Sequence, residues 1–205
     1  MPGRLILEHD PAPALRALGF DTAAAPAFAP RRNIAPGQPL TVLTARGLCA
    51  MRWGMIPVGR VNARGRPVMD TIVNARSETV FDKTAFAGVC RAAVPADGWY
   101  EWTGQKRRKT AWRIAARDGG VLYFAAITDS WTGPGGVTVD QVALVTCPPS
   151  GDVRDVHDRM GVLLEPAALR AWLTAPEEDA RALMRPWPDG RLVVAQADDV
   201  DWSAA

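Results

Sequence analysis

The sequence predicts an α+β fold: a single domain over residues 1–205, with a mixed, mostly antiparallel curved sheet, barrel-like, and peripheral helices. Three observations point there. The middle of the chain is a series of short β-branched and aromatic runs, punctuated by turns at Gly104, Asp118-Gly119-Gly120 and Gly133-Pro134-Gly135-Gly136. Two helical patterns, each opening on a proline, follow late, at 166–173 and 176–184. With 205 residues, 48% of them hydrophobic, and no repeat or linker, the chain can build one core.

Taken in order, residues 11–20 predict a short helix with Leu15 and Leu18 facing inward. The Ala- and Pro-rich stretch 21–30 is irregular. Strands at 39–45 and 48–53 flank a turn at Arg46-Gly47, and 59–67 is a basic, glycine-containing loop carrying Arg60, Arg64 and Arg66. The middle strands are 91–95, 99–103, 110–116, 121–128 and 141–147. Strand alternation points Glu101 away from Tyr100 and Trp102. A carboxylate buried there is costly unless paired or functional. The run Lys106-Arg107-Arg108-Lys109 fits a hairpin tip, either solvated or against a DNA backbone. A helical turn at 150–156, with Ser150 or Asp152 near its start, precedes the two helices, and 191–196 is a last strand.

No apolar run reaches the ~18 residues of a membrane span. The first ten residues lack a signal-peptide layout, so a cytoplasmic location is expected. Cys49, Cys90 and Cys147 are far apart and odd in number, which argues for buried reduced thiols rather than a disulfide framework or a zinc site. His9 and His157 are the only histidines; no metal and no cofactor are expected. The net charge of +2 hides an asymmetry. Residues 1–118 hold 18 Lys and Arg against 9 Asp and Glu, whereas 119–205 hold 6 against 13. A basic face for an anionic partner follows, nucleic acid foremost, although a solvated charged surface has the same composition.

Several segments are polar beyond what packing requires. They are Arg32-Asn33-Ile34-Ala35-Pro36, Met51-Arg52-Trp53-Gly54-Met55-Ile56-Pro57, Asn74-Ala75-Arg76-Ser77-Glu78, Pro95-Ala96-Asp97-Gly98-Trp99-Tyr100-Glu101-Trp102 and His157-Asp158-Arg159-Met160. In this order, with Gly3-Arg4 at the start, they resemble the hallmark blocks of the SOS-response-associated peptidase (SRAP) family of abasic-site-processing proteins. The resemblance implies an SRAP-like domain, acting as a monomer, that binds single-stranded DNA at an abasic site and is nucleoid-associated when so bound. In that family the initiator methionine is removed, and a cysteine at position 2 captures the opened sugar aldehyde as a thiazolidine. By motif match, Asn74 would hold the open sugar, while Glu101 and His157 would handle protons. Arg4 and Arg76 would meet phosphates, and Trp53, Trp102 and Pro36 would pack on bases or wedge the strand. Bland readings stand beside these. His157 can be structural, Asp158 and Arg159 can pair with each other, Asn74 can cap a turn, and the tryptophans can be core; His9 is read as structural.

Pro2 stands where the family has cysteine, so no thiazolidine can form. Milder departures are Gly37, Pro148-Pro149 and Gly161, the last in place of the family's proline. Three accounts compete. If Met1 is removed, Pro2 is a secondary amine that can form an iminium with the aldehyde and promote strand cleavage. Alternatively, the chain only binds single-stranded or damaged DNA. In the third account, the substitution is engineered or the start has diverged without constraint. A retained Met1 ties the Pro2 nitrogen into a tertiary amide, which is not nucleophilic. Peptidase action is expected to be limited to self-removal of Met1.

Overall fold

The structure, a computed structural model, describes residues 2–57, 71–105, 108–198 and 200–202. The basic loop expected at 59–67 and the pair Lys106-Arg107 lie outside the described residues. In chain order the elements begin with β1 (Leu5–Leu7), α1 (Ala12–Ala17), β2 (Arg31–Ile34), β3 (Pro39–Thr44), β4 (Gly47–Trp53) and β5 (Asn74–Arg76). Then come β6 (Cys90–Ala96), β7 (Gly98–Gln105), β8 (Arg108–Ala116), β9 (Leu122–Thr132) and β10 (Thr138–Cys147). The chain continues with β11 (Met160–Gly161), β12 (Leu163–Leu164), α2 (Leu169–Thr174), α3 (Glu177–Leu183) and β13 (Leu192–Gln196).

Two sheets form. The larger runs β4–β3–β6–β9–β10 through antiparallel pairs, and β10 returns to β4 in parallel, Gln141 opposite Arg52 and Val142 opposite Trp53. The sheet therefore closes on itself, which removes its edges. The smaller sheet has the order β13–β8–β7–β1–β2. β9 shows why these residues make a barrel wall: Leu122 to Ile127 are all buried, so both faces of the strand are covered. Trp99 packs edge-to-face on Phe124, centroids 5.5 Å apart, within the shared core. Helix α2 closes the outside by burying Leu169, Trp172 and Leu173, and the Trp172 indole donates to the Ala92 carbonyl at 2.7 Å.

The structure corrects several expectations. Helix α1 stops at Ala17, because Gly19 takes φ +79° and the Phe20 N–H returns to the Leu15 carbonyl. Leu18, expected inside, is exposed as a result. The first late helix opens as a 3₁₀ turn, Pro166–Ala168, before α2. Of the thiols only Cys147 is buried; Cys49 is half-buried and Cys90 exposed. Strands β1, β2, β5, β11 and β12, two to four residues each, have no counterpart in the expectation.

Candidate functional site

The start of the chain is an edge of the site. Leu5 pairs with Trp99 and Ile6 with Gly98, and the Tyr100 N–H donates to the Arg4 carbonyl at 3.0 Å. That antiparallel register carries Gly3 opposite Glu101 and Pro2 just beyond. From the other side β5 runs parallel to β10, Asn74 opposite Leu144. There the Asn74 amide donates to the carbonyl of buried Pro2 at 2.9 Å. Asn74 Oδ1, also buried, accepts no hydrogen bond among the described residues. A buried acceptor left open is costly, by about 1–3 kcal/mol, so this oxygen is suited to receive a hydroxyl from outside.

His157 comes from the turn after β10, where its N–H bonds to the Val153 carbonyl at 3.0 Å. Its Nε2 lies 3.9 Å from Glu101 Oε2, too long for a direct hydrogen bond and close enough for one oxygen beside the pair to touch both. Glu101 is 3% exposed on the Trp99 face of β7, while Tyr100 and Trp102 take the other face. Burial pushes the Glu101 carboxyl up to about 7; the positive amino terminus of the chain opposes this. His157 is lowered, first by burial and then by the same positive charge. Near neutrality the pair thus offers a carboxyl that still holds a proton and a ring that has lost one. Two neighbours act on His157 Nδ1: the Arg159 amide N–H donates to it at 3.0 Å, and Asp158 Oδ1 lies 2.8 Å away. The first contact selects a ring with its proton on Nε2, the second a ring with its proton on Nδ1. The ring can therefore present either a donor or an acceptor toward Glu101.

Arg159 does not pair with its neighbour Asp158. Its guanidinium grips Glu78 through two bonds of 2.8 and 2.9 Å and the Thr146 carbonyl at 2.6 Å. This contact holds the Glu78 carboxyl down at about 2. It ties the segment after β5 to the segment carrying His157, across 81 residues of sequence. Sequence reasoning missed the pair; the charged ends of the Asn-Ala-Arg-x-Glu and His-x-Arg-Met blocks were the only signal.

The expected DNA residues separate. Arg76 is exposed on β5, and Pro36 is exposed in the turn after β2. Arg4 donates to Asn33 Oδ1 at 2.6 Å. Trp102 is half-buried on the outer face of the smaller sheet. Trp53 is the correction: it is fully buried where β4 meets β10, its indole donates to the Val73 carbonyl at 3.2 Å, and it offers no face to a base. Among the described residues no group of three or more His, Cys, Asp or Glu converges to hold a metal. A cavity of about 830 Å³, lined by Met51, Phe81, Phe86 and Leu173 among others, includes none of these site residues.

The family model of the SOS response associated peptidase (SRAP) matches residues 1–200. Among similar proteins, the abasic site processing protein YobE of Bacillus subtilis is 29% identical over 182 residues, 85% of this chain and 80% of that protein. The abasic site processing protein YedK of Escherichia coli is 31% identical over 150 residues, 70% of this chain and 64% of that one. A solved structure of a Bordetella bronchiseptica protein, 27% identical, superposes with a TM-score of 0.78 over 97% of this chain and 100% of that one. One from Bacteroides thetaiotaomicron shares the fold, with a TM-score of 0.80, 16% identity and coverage of 96% and 92%.

Proposed function

Since the chain belongs to the SOS response associated peptidase family, we propose that it recognises abasic sites in single-stranded DNA and processes them through the Pro2 amine once Met1 has been removed. The names of its relatives support the abasic site as substrate. The observation that carries the reading is the 2.9 Å bond from Asn74 to the Pro2 carbonyl, beside the Glu101–His157 pair. This bond supports residue 2, the cysteine position of the family, as the group that meets the acid and base that aldehyde chemistry requires.

Freed of Met1, Pro2 carries a secondary amine, more basic than an ordinary α-amine of about 7.7–8.0, so only its small neutral fraction near pH 7 is the nucleophile. Its lone pair attacks C1′ of the ring-opened sugar. The N–C1′ bond forms, the carbonyl π pair moves to oxygen, and the amine proton passes to that oxygen to give a carbinolamine. Protonated Glu101 then donates to the hydroxyl, which leaves as water as the nitrogen lone pair forms the iminium. The iminium acidifies C2′–H. With Nδ1 protonated, His157 Nε2 takes that proton, and the electron pair expels the 3′ phosphate in a β-elimination. Water returns to C1′ and frees the amine. Asn74 Oδ1 accepts a hydroxyl of the open sugar, while Arg4 and Arg76 meet the flanking phosphates. On this reading the peptidase action of the family name is confined to release of Met1, and the adduct is transient rather than a lasting shield.

Binding tests the recognition half. A single strand carrying a tetrahydrofuran abasic analogue is expected to bind more tightly than the intact strand. The dependence on salt is set by the phosphates contacted, about −0.7 in log–log slope for each one neutralised on a single strand. Equal affinity for the two strands, or affinity insensitive to salt, contradicts the reading. Selective binding with no cleavage above the uncatalysed rate leaves a binding-only protein.

A further inference from the structure

The outer face of the smaller sheet is occupied by the chain itself. Ile6, Tyr100 and Ala111 form a second apolar cluster there, closed by Ala197 and joined by Trp102, Val200 and Trp202. The Trp202 ring stands edge-on to Tyr100 at 4.9 Å and to Trp102 at 5.2 Å. Past β13 the Ala197 N–H donates to the Ala111 carbonyl at 2.9 Å, which starts the segment across the sheet. Its far end meets Asn33, whose Nδ2 donates to the Asp201 carbonyl at 3.0 Å. The other end of the same amide, Oδ1, accepts from Arg4 at 2.6 Å. One side chain therefore connects the segment to the arginine two residues from Pro2.

The composition of the segment matches the place it occupies. Residues 198–202 read Asp-Asp-Val-Asp-Trp, three carboxylates and an indole in five residues. It belongs to the acidic half of the chain and crosses β1 and β7, which belong to the basic half. Carboxylates and an aromatic ring are the groups with which a peptide can stand in for the phosphates and bases of a single strand, and aromatic side chains are the usual platforms for unstacked bases.

We propose that Arg4, Asn33, Tyr100 and Trp102 form a single-stranded-DNA surface continuous with the site at Pro2, and that the stretch carrying Val200, Asp201 and Trp202 docks on it in cis and must leave before a strand can extend across it. The inference rests on the DNA reading above. Among the described residues, the two edge-to-face ring pairs and the Asn33 amide bond are contacts for which a single strand can compete. A surface covered nine-tenths of the time, as an order of magnitude, binds about tenfold more weakly than the bare one.

The test compares the intact chain, a chain ending at Ala197, and Trp202→Ala in the full chain. Binding is read by fluorescence anisotropy on a labelled single strand with a tetrahydrofuran site, with Tm measured for each form. The truncated chain is expected to bind about tenfold more tightly and W202A to fall between. A synthetic peptide of residues 198–205 added in trans is expected to weaken binding by the truncated chain. Equal affinities across the three forms overturn the docking and leave the DNA reading standing. Weaker binding by the truncated chain at unchanged Tm makes the segment part of the DNA site and also overturns it. If no form binds, the DNA reading itself fails and takes this inference with it.

Discussion

At the residue scale, Glu101 sets chemistry against stability. A carboxyl of pKa 4.5 that titrates near 7 when folded keeps its proton through the acid range, whereas the unfolded chain loses it near 4.5. Between those values the folded state binds more protons, so stability falls as pH rises from about 4.5 to 7 and then levels off. The loss is on the order of 3 kcal/mol. Glu101→Gln is therefore expected to remove this pH dependence and raise stability at pH 8, as read by urea denaturation at pH 5 and pH 8. An unchanged slope would show that Glu101 is not the titrating group. The same change is expected to abolish cleavage, and the rate of the unaltered chain is expected to lose its Glu101-dependent proton donation as pH rises above about 7. Much of this residue was legible, because alternation separated it from Tyr100 and Trp102 and a buried carboxylate had to be paired or functional. The burial of Trp53 was not legible. A tryptophan beside an arginine reads the same as a base platform or as core, and only the parallel β4–β10 pairing decides.

At the element scale, the strands recognised from sequence were those long enough to show as β-branched and aromatic runs between turns, such as β8, β9 and β10. Strands β1 and β5 escaped because three residues hold no period, yet they place Pro2 and Asn74. Their partners are far away in sequence, and register across such distances is a property of the closed sheet. The Glu78–Arg159 pair is another long-range link. Glu78 is half exposed, so the pair adds little stability. Its work is to fix the segment whose amide meets His157 Nδ1. Glu78→Gln is expected to slow cleavage about tenfold with Tm unchanged. A large Tm loss that accounts for the slower rate would reduce the pair to scaffold. Gly161, in place of the family's proline, has a physical reason: a Cβ there would lie 2.3 Å from the Phe124 ring, which is fully buried against Trp99. Gly161→Ala is expected to cost about 1–3 kcal/mol. Thermal unfolding checks it, since each kcal/mol lowers Tm by about 2–4 °C in a chain of this size; an unchanged Tm would contradict the packing argument.

At the scale of the whole molecule, the charge asymmetry read from the sequence becomes an arrangement. The basic half supplies β1, β2, β5 and β7 around the site, and the acidic half supplies β10, His157 and the segment over Trp102. The fold class was legible because strand runs and turn residues recur through the middle of the chain. Closure of the larger sheet was not, since it depends on the single parallel contact of β10 with β4. The central claim is that the Pro2 nitrogen, released from Met1, forms an iminium with the abasic aldehyde. Borohydride trapping on a uracil-derived abasic oligonucleotide, read by intact mass and peptide mapping, tests it most directly. The account predicts a chain lacking Met1 that carries a reduced DNA adduct at Pro2, and no adduct with Glu101→Gln. A chain that retains Met1, or one that has lost it yet yields no adduct and cleaves no faster than the uncatalysed strand, would contradict it.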